Sequence, residues 1–140
     1  MDIDEALTFL REHRQGILIT TKSDGRPQSS NIVYVVGDDD VIRISVTNSR
    51  AKTKNAHRTG QVSLHVNRDD FWAYAVVEAD VTATPVAAAP DDATVDQLVD
   101  YYRSMAGEHD DWPAYRQAMV DDGRLLLELR PTHAYGMLQR

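Results

Sequence analysis

The sequence predicts a mainly β fold of the α+β class: a six-stranded antiparallel barrel with flanking helices. Val62, Leu64 and Val66 alternate with polar residues, as they do in a half-buried strand. The pair Asp24-Gly25 separates two apolar segments and is typical of a tight hairpin. The 140 residues contain no internal repeat or low-complexity segment, so we expect one domain over residues 1–140.

A short helix is predicted at the start of the chain. Apolar residues within 3–10 fall at helical spacing, and Asp2 with Glu5 forms a variant of the capping box. Gly16 is expected to end this helix.

Three strands are predicted next, over residues 17–22, 28–36 and 41–47. The Asp-Gly turn joins the first two, and the turn at 37–40 leads into the third. Because the connections are short, we expect the three strands to pair in meander order.

The second half of the chain is predicted to continue the barrel. Strands are expected over 61–66 and 71–84, the latter ended by Pro85, followed by a linker at 87–90. A helix over 95–105 should end at Gly107, and Asp111 should cap a second short helix. Alternating leucines predict a last strand over 125–135.

Composition excludes several classes of protein. The net charge of −7 and a pI near 5.1 argue against a nucleic-acid-binding surface. The chain has no cysteine, so it has neither disulfides nor thiolate chemistry. No segment resembles a signal peptide or a membrane span, and we expect a cytoplasmic protein with no membrane partner.

One basic segment stands out in this acidic chain. Residues 49–58 hold four of the fifteen Lys and Arg residues and no Asp or Glu. The segment follows a predicted strand, and Ser49 is expected to cap a short helix beginning near Arg50. Arg50 and Lys52 would then lie beside the positive end of the helix dipole, an arrangement suited to a phosphate. The alternative is a solvated basic helix on the surface.

Polar residues also occupy strand positions where apolar ones are usual. They are the run from Gln28 to Asn31, which includes Ser30, and the pair Ser45 and Thr47 on one face of the third strand. They indicate either an exposed sheet face or side chains that bind a planar, heteroatom-rich ring.

Trp72 and Tyr74 begin the long strand after residue 70. Their rings could belong to the core, to a wall on which a ring stacks, or to a dimer interface.

No catalytic or metal motif is evident. The five histidines lack metal-ligand spacing, and no Gly-x-Ser-x-Gly elbow or glycine-rich phosphate loop occurs. We therefore assign no catalytic residue and no metal ligand, and expect a bound cofactor to carry any chemistry.

Taken together, these residues resemble the pyridoxamine-phosphate-oxidase-like split-β-barrel family of flavin-binding proteins. The resemblance lies in Asp-Gly-Arg-Pro-Gln-Ser-Ser-Asn at 24–31 and in Ser-Arg-Ala-Lys at 49–52. The sequence is similar above all to actinobacterial members that use the deazaflavin coenzyme F420, through residues 68–76, 87–92, 107–112 and 130–136.

The resemblance implies a homodimer with two cofactor sites at the subunit interface, each built from both chains. It places the following residues at the cofactor: Gln28, Ser30 and Asn31 along the ring, Ser45 and Thr47 beside it, Arg50, Lys52, Thr53 and Asn55 at the phosphate, and Trp72 and Tyr74 from the partner subunit. The segment 135–140 lacks the Arg-rich motif of true pyridoxamine phosphate oxidases, so oxidation of vitamin B6 is not expected.

The resulting prediction is an F420-dependent oxidoreductase, most simply a reductase that transfers hydride to a small electron-poor molecule. The family members that the sequence resembles act on unsaturated lactones, quinones and tetrapyrroles, and nothing in this sequence chooses among them. One alternative is an FMN-dependent oxidase or reductase on the same barrel. Another is a protein that binds or stores F420 without turnover. F420 carries a polyglutamate tail, and the cations left to bind it are Lys22, Lys54, His57 and Arg58.

Overall fold

The computed structural model describes residues 1–138, so Gln139 and Arg140 of the C-terminal segment lie outside the described residues. The helices are α1 (Ile3–Arg11), α2 (Ala51–Thr59), α3 (Ala93–Ala106) and α4 (Trp112–Asp121). The strands are β1 (Gln15–Thr21), β2 (Pro27–Val33), β3 (Val35–Val36), β4 (Ile42–Thr47), β5 (Gln61–Asn67), β6 (Tyr74–Ala83) and β7 (Arg124–Met137).

The strands form one antiparallel sheet in the order β2-β1-β5-β6-β7-β4-β3, which curves into a split barrel with flanking helices. The predicted fold class is confirmed. The predicted count of six strands is one short, because the segment 28–36 divides into β2 and β3 at Tyr34. The Tyr34 N–H donates to Arg14 O at 3.0 Å and its hydroxyl donates to Leu10 O at 2.7 Å, so this buried residue turns away from the ladder.

The predicted meander of the first three strands is confirmed in part: the segment 28–36 pairs with β1 through β2 and with β4 through the short β3, where Val35 lies opposite Arg43. The prediction missed the second neighbour of β4, which is β7, with Ile44 opposite Leu127 and Thr47 opposite Arg124. The interruption at Tyr34 leaves β2 at one edge of the sheet and β3 at the other, while β4 lies between β3 and β7. The barrel is therefore open between the edge strands β2 and β3.

The core lies inside the barrel, where α1 packs across the sheet. Ala6, Leu7 and Leu10 of α1 are almost fully buried in the same cluster as Leu64 and Leu127. Burial of apolar area stabilises the fold by about 25 cal/mol per Å², and the area buried in this shared cluster holds the helix to the sheet.

Helix α1 begins as predicted, since Asp2 Oδ1 accepts from Glu5 N at 2.8 Å. Its predicted end at Gly16 is wrong. The helix ends at Arg11, and Gly16 lies in β1, where an added Cβ would come within 3.0 Å of Leu64. The glycine serves close packing of β1 against β5 rather than helix termination.

The helices α3 and α4 form a hairpin against the outer face of the sheet. Leu98 and Tyr101 of α3 pack on Leu126 of β7 in a second apolar cluster. The predicted end of α3 at Gly107 is confirmed by the positive φ of that residue, and Asp111 caps α4 by accepting from Ala114 N at 3.1 Å.

Strand β6 starts three residues later than predicted because residues 68–72 form a tight turn. Asp70 accepts from the Arg68 guanidinium and from the Trp72 N–H, and Phe71 adopts a φ of 73°. Strand β7 continues past Pro131 as predicted. A register shift between Glu78 and Ala79 of β6 leaves Thr132 without a partner in the ladder, next to Pro131, and irregularities of this kind accommodate proline in a strand.

Candidate functional site

The basic segment forms α2, but its cap differs from the prediction. Arg50, not Ser49, is the N-cap residue, and it makes no side-chain capping bond. Thr47 O accepts both from Thr53 Oγ1 at 2.7 Å and from Arg50 N at 3.3 Å, and this turn delays the helix by one residue. The first N–H groups of α2 therefore remain available, as at any helix N-terminus without a side-chain cap.

A pocket of about 340 Å³, here called the cation pocket, lies at the N-terminus of α2. Among the described residues that line it, three are cations and none is Asp or Glu. The cations come from α2 and β7: Arg50, Lys52 and Arg124. Burial and repulsion by the other two charges lower the pKa of Lys52. Positive charges brought together in this way favour an anion.

Sequence reasoning missed Arg124, which is remote from the basic segment along the chain. The β4–β7 ladder sets it opposite Thr47 and thus beside α2. Its Nε is buried without a hydrogen bond among the described residues, and its contacts are long: Nη1 to Ser45 O at 3.5 Å and Nε to Asp122 Oδ2 at 4.0 Å. The guanidinium therefore has donors to offer to a ligand.

Two polar side chains of β2 complete the cation pocket. Ser30 Oγ is buried and has no hydrogen-bond partner among the described residues. An unsatisfied buried hydroxyl costs about 1–3 kcal/mol, which a ligand acceptor would recover. Gln28 Oε1 already accepts from Thr20 Oγ1 at 3.2 Å and from Asn55 Nδ2 at 3.0 Å, so its NH₂ group is the free end.

A larger cleft of about 700 Å³, here called the ring cleft, adjoins the cation pocket and shares Lys52 with it. Its polar side chains include Asn31, Ser45 and His65, and Phe71 lies at its edge. A volume of this size is ordinary for a cofactor or small-molecule site.

The structure thus brings most of the predicted residues into two adjoining spaces. The cation pocket holds Gln28, Ser30, Thr47, Arg50 and Lys52, and the ring cleft holds Asn31 and Ser45. The prediction that Ser45 and Thr47 share one face of β4 is confirmed by the alternating burial of that strand.

Two residues of the predicted phosphate group do not line either space. Thr53 is fully buried, with its hydroxyl bonded to Thr47 O. Asn55 is 7% exposed, and its amide bonds to Thr20, Gln28 and Arg58. Asn55 therefore holds α2 against β1 and β2, and Thr53 holds it against the end of β4.

Trp72 and Tyr74 also lie outside the lining of this chain's own ring cleft. Trp72 is 65% exposed, and the Tyr74 ring packs on His65 with centroids 5.3 Å apart. Phe71, which sequence reasoning did not single out, lines the cleft although it is 75% exposed. Its positive φ could not be read from the sequence, because the tight turn that imposes it is irregular.

Among residues 1–138, no three His, Asp or Glu side chains come together in a way that could hold a metal ion. Within the same range, no helix is both long and apolar enough to cross a membrane.

Comparisons with known proteins identify the family and the fold. The family model described as Pyridoxamine 5'-phosphate oxidase matches residues 3–138. Among solved structures, an F420 reductase superposes with a TM-score of 0.67 at 25% identity, over 91% of this chain and 94% of the other.

Two further structures share the fold at lower identity. A haem storage protein of Vibrio cholerae has a TM-score of 0.70 at 16% identity, over 98% of this chain and 96% of its own. An FAD-binding protein of Mesorhizobium loti has a TM-score of 0.68 at 18% identity, over 97% and 92%. Because the family match spans nearly all the described residues, the chain belongs to the pyridoxamine 5'-phosphate oxidase family of split β-barrels.

Proposed function

We propose that this protein is an F420-dependent oxidoreductase that transfers hydride from the reduced deazaflavin to a small electron-poor organic molecule. The observation that carries the proposal is the junction at Lys52 between a pocket of three cations and a cleft large enough for a tricyclic ring. The similarity to an F420 reductase, at 25% identity over 91% of the chain, supports the choice of coenzyme.

The cation pocket fits the phosphate of such a coenzyme. Arg50, Lys52 and Arg124 supply charge, the N-terminus of α2 supplies N–H groups, and Ser30 supplies a hydroxyl with no partner among the described residues. Charge-assisted hydrogen bonds of this kind are shorter and stronger than neutral ones. A phosphate in this pocket would also remove the repulsion that lowers the pKa of Lys52.

The ring cleft fits the tricyclic part of the coenzyme. Asn31 and Ser45 offer an amide and a hydroxyl along the cleft, while the free NH₂ of Gln28 faces the adjoining pocket. When bound, the deazaflavin supplies the hydride chemistry. The side chains of this chain would bind it, orient it and limit its contact with water.

Exposed cations around α2 are suited to the polyglutamate tail that distinguishes F420 from FMN. Lys22, Lys54 and His57 are exposed. Arg58 is less free than the sequence suggested, because its guanidinium donates to Asn55 Oδ1 at 3.1 Å and to Thr21 O. The exposed charges would be screened by salt, so their contribution should fall as ionic strength rises.

A second copy of the chain is part of the proposal. Val33 and Phe71 at the ring cleft are exposed, and other large apolar side chains are exposed as well: Trp72, Tyr135 and Met137. Exposed apolar residues of this size are typical of an interface. In a homodimer, Trp72 and Tyr74 of the partner subunit would cover the coenzyme ring.

Titration of the purified protein with F420 and with FMN, followed by tryptophan quenching, tests the proposal. We expect tighter binding of F420, with an advantage that shrinks in salt, followed by oxidation of reduced F420 when a quinone is added. Tighter binding of FMN would replace the proposal by an FMN-dependent enzyme. Tight F420 binding without turnover of a panel of electron-poor acceptors would indicate a binding or storage protein.

A further inference from the structure

The α3–α4 hairpin encloses a third space, of about 490 Å³, against β4 and β7. It is here called the aromatic pocket. Three rings of its wall contact one another: Tyr102 and His109 with centroids 5.1 Å apart, Tyr102 and Tyr115 at 5.1 Å, and His109 and Tyr115 at 5.4 Å. Ala114 and Ala118, one turn apart on α4, leave the space that larger side chains would fill.

Hydrogen bonds to the backbone hold two tyrosines of the pocket wall in place before any ligand binds. The Tyr115 hydroxyl donates to Leu98 O at 3.0 Å, and the Tyr101 hydroxyl donates to Val33 O at 3.1 Å. Burial raises the pKa of Tyr115 to about 12, so the phenol stays neutral at physiological pH. With these hydroxyls bonded to the backbone, the tyrosines present ring surfaces, which suit a flat ligand.

The polar groups of the aromatic pocket all favour an anion or a carbonyl oxygen. Among the described residues that line it, none is Asp or Glu, while Arg124 has a buried Nε without a hydrogen bond. His109 Nδ1 accepts from Asp111 N at 2.8 Å, so in the neutral ring Nε2 carries the hydrogen and is a donor. Ser45 adds a hydroxyl.

The aromatic pocket is continuous with the proposed coenzyme site. Val33 and Ser45 line both it and the ring cleft, and Arg124 lines both it and the cation pocket. A molecule held here would lie beside the coenzyme, and its carboxylate would share the Arg124 guanidinium with the coenzyme phosphate.

We propose that the aromatic pocket binds a flat, conjugated molecule bearing a carboxylate, with its ring among Tyr102, His109 and Tyr115 and its carboxylate at Arg124. Its role as the hydride acceptor rests on the proposed function; its binding of aromatic acids does not. In that role the reduced deazaflavin loses a hydride and is oxidised, and an electron-poor carbon of the conjugated molecule gains the hydride. Solvent supplies the proton that completes the reduction.

The experiment uses the full chain without coenzyme and two probes of the same shape, 2-naphthoate and the neutral 2-naphthamide. Calorimetry should show that 2-naphthoate binds at least tenfold more tightly than 2-naphthamide. The variant Ala118→Leu should weaken 2-naphthoate binding at least tenfold. The control is Gln117→Leu, at the preceding position of α4; it should leave binding unchanged because Gln117 does not line the pocket. Ala114→Leu, at an exposed position that also lines the pocket, should likewise weaken 2-naphthoate binding at least tenfold. It replaces Ala118→Leu as the test if Ala118→Leu does not fold.

The affinity of F420 separates the two proposals, because neither alanine lines the cation pocket or the ring cleft. Both leucine variants at the pocket should bind F420 like the wild type. If the wild type does not bind F420 but 2-naphthoate binding still depends on Ala114, the coenzyme proposal fails and the aromatic site stands. The proposed aromatic site would be overturned if neither Ala114→Leu nor Ala118→Leu weakened 2-naphthoate binding. It would also be overturned if 2-naphthoate and 2-naphthamide bound equally tightly.

Discussion

Asn55 Nδ2 donates to Gln28 Oε1 at 3.0 Å, and this bond fixes which end of the Gln28 amide faces the cation pocket. The direction follows from Arg58, whose guanidinium can only donate and which contacts Asn55 Oδ1 at 3.1 Å. Asn55 must therefore present its NH₂ group to Gln28, and Thr20 Oγ1 donates to the same Gln28 oxygen at 3.2 Å. The free NH₂ of Gln28 is thus left for an anion. Asn55 acts as a positioning residue.

The substitution Asn55→Asp should reverse this amide. The new carboxylate only accepts, so Gln28 would turn its NH₂ inward and its oxygen toward the cation pocket. Arg58 keeps an acceptor, but burying a carboxylate at a site that is 7% exposed should lower the melting temperature. F420 should bind at least about 1 kcal/mol more weakly, the usual value of one hydrogen bond. Fluorescence titration measures the loss. In a Gln28→Ala background the same substitution should cost much less, and an equal loss in both backgrounds would contradict the positioning role.

Coenzyme affinity should depend on pH through Lys52. Burial and the charges of Arg50 and Arg124 lower its pKa, so Lys52 loses its proton at a lower pH than an ordinary lysine. Since the phosphate binds the charged form, affinity should be steady near neutral pH and decline as pH rises toward the lowered pKa. Titrations between about pH 7 and 10 measure this decline. Lys52→Arg should remove it, because arginine stays charged throughout; the same decline in this variant would assign it to another group.

Gly136 should not tolerate a side chain. It has a φ of 152°, and a Cβ there would lie 2.2 Å from Tyr74 O in the neighbouring strand. Gly136→Ala should therefore cost more than about 2 kcal/mol of unfolding free energy, because backbone atoms of β6 would have to move. Gly25→Ala is the matched control: its φ is 88°, but nothing lies within 4 Å of its Cβ. Denaturant unfolding should rank Gly136→Ala as clearly the more damaging; equal effects would show that β6 and β7 can separate freely here.

Light scattering at micromolar concentration should give twice the 15.7 kDa mass of one chain. The variant Phe71→Asn should shift the protein toward the single-chain mass, because it removes a ring that is 75% exposed at the proposed interface. Asparagine tolerates positive φ better than phenylalanine, so the turn at residue 71 should remain folded. A wild-type mass of one chain would refute the homodimer.

Local patterns in the sequence predicted the elements well, but they could not predict how strands pair. The alternation of Val62, Leu64 and Val66 sufficed for β5, because burial on one face leaves a period of two. The pairing of β4 with β7 joins segments that lie far apart in the sequence, and no local pattern signals it. The same pairing brings Arg124 to the cation pocket.

The sequence predicted which residue types form the candidate site more accurately than it predicted which of their side chains face the pocket. Lys52 and Thr53 are adjacent, yet α2 turns Lys52 toward the pocket and Thr53 into the core beside Ala56. Positions 53 and 56 lie one turn apart on the buried face, so helical periodicity applied to the basic segment would have excluded Thr53 as a ligand. The role of Asn55 could not be read this way, because it depends on contacts with β1 and β2.

The most direct test of the account is the F420 affinity of Lys52→Ala, compared with Lys54→Ala on the same helix. Lys52 lines both the cation pocket and the ring cleft, whereas Lys54 lines neither and is exposed. Loss of a charge-assisted hydrogen bond should weaken binding by about 1–3 kcal/mol in Lys52→Ala and by much less in Lys54→Ala. Turnover at saturating coenzyme is the second readout: an unchanged rate would mean that Lys52 serves binding alone, and a lower rate would mean that Lys52 also acts at the ring. Wild-type affinity in Lys52→Ala would contradict the account, because the basic segment would then be only a solvated surface helix.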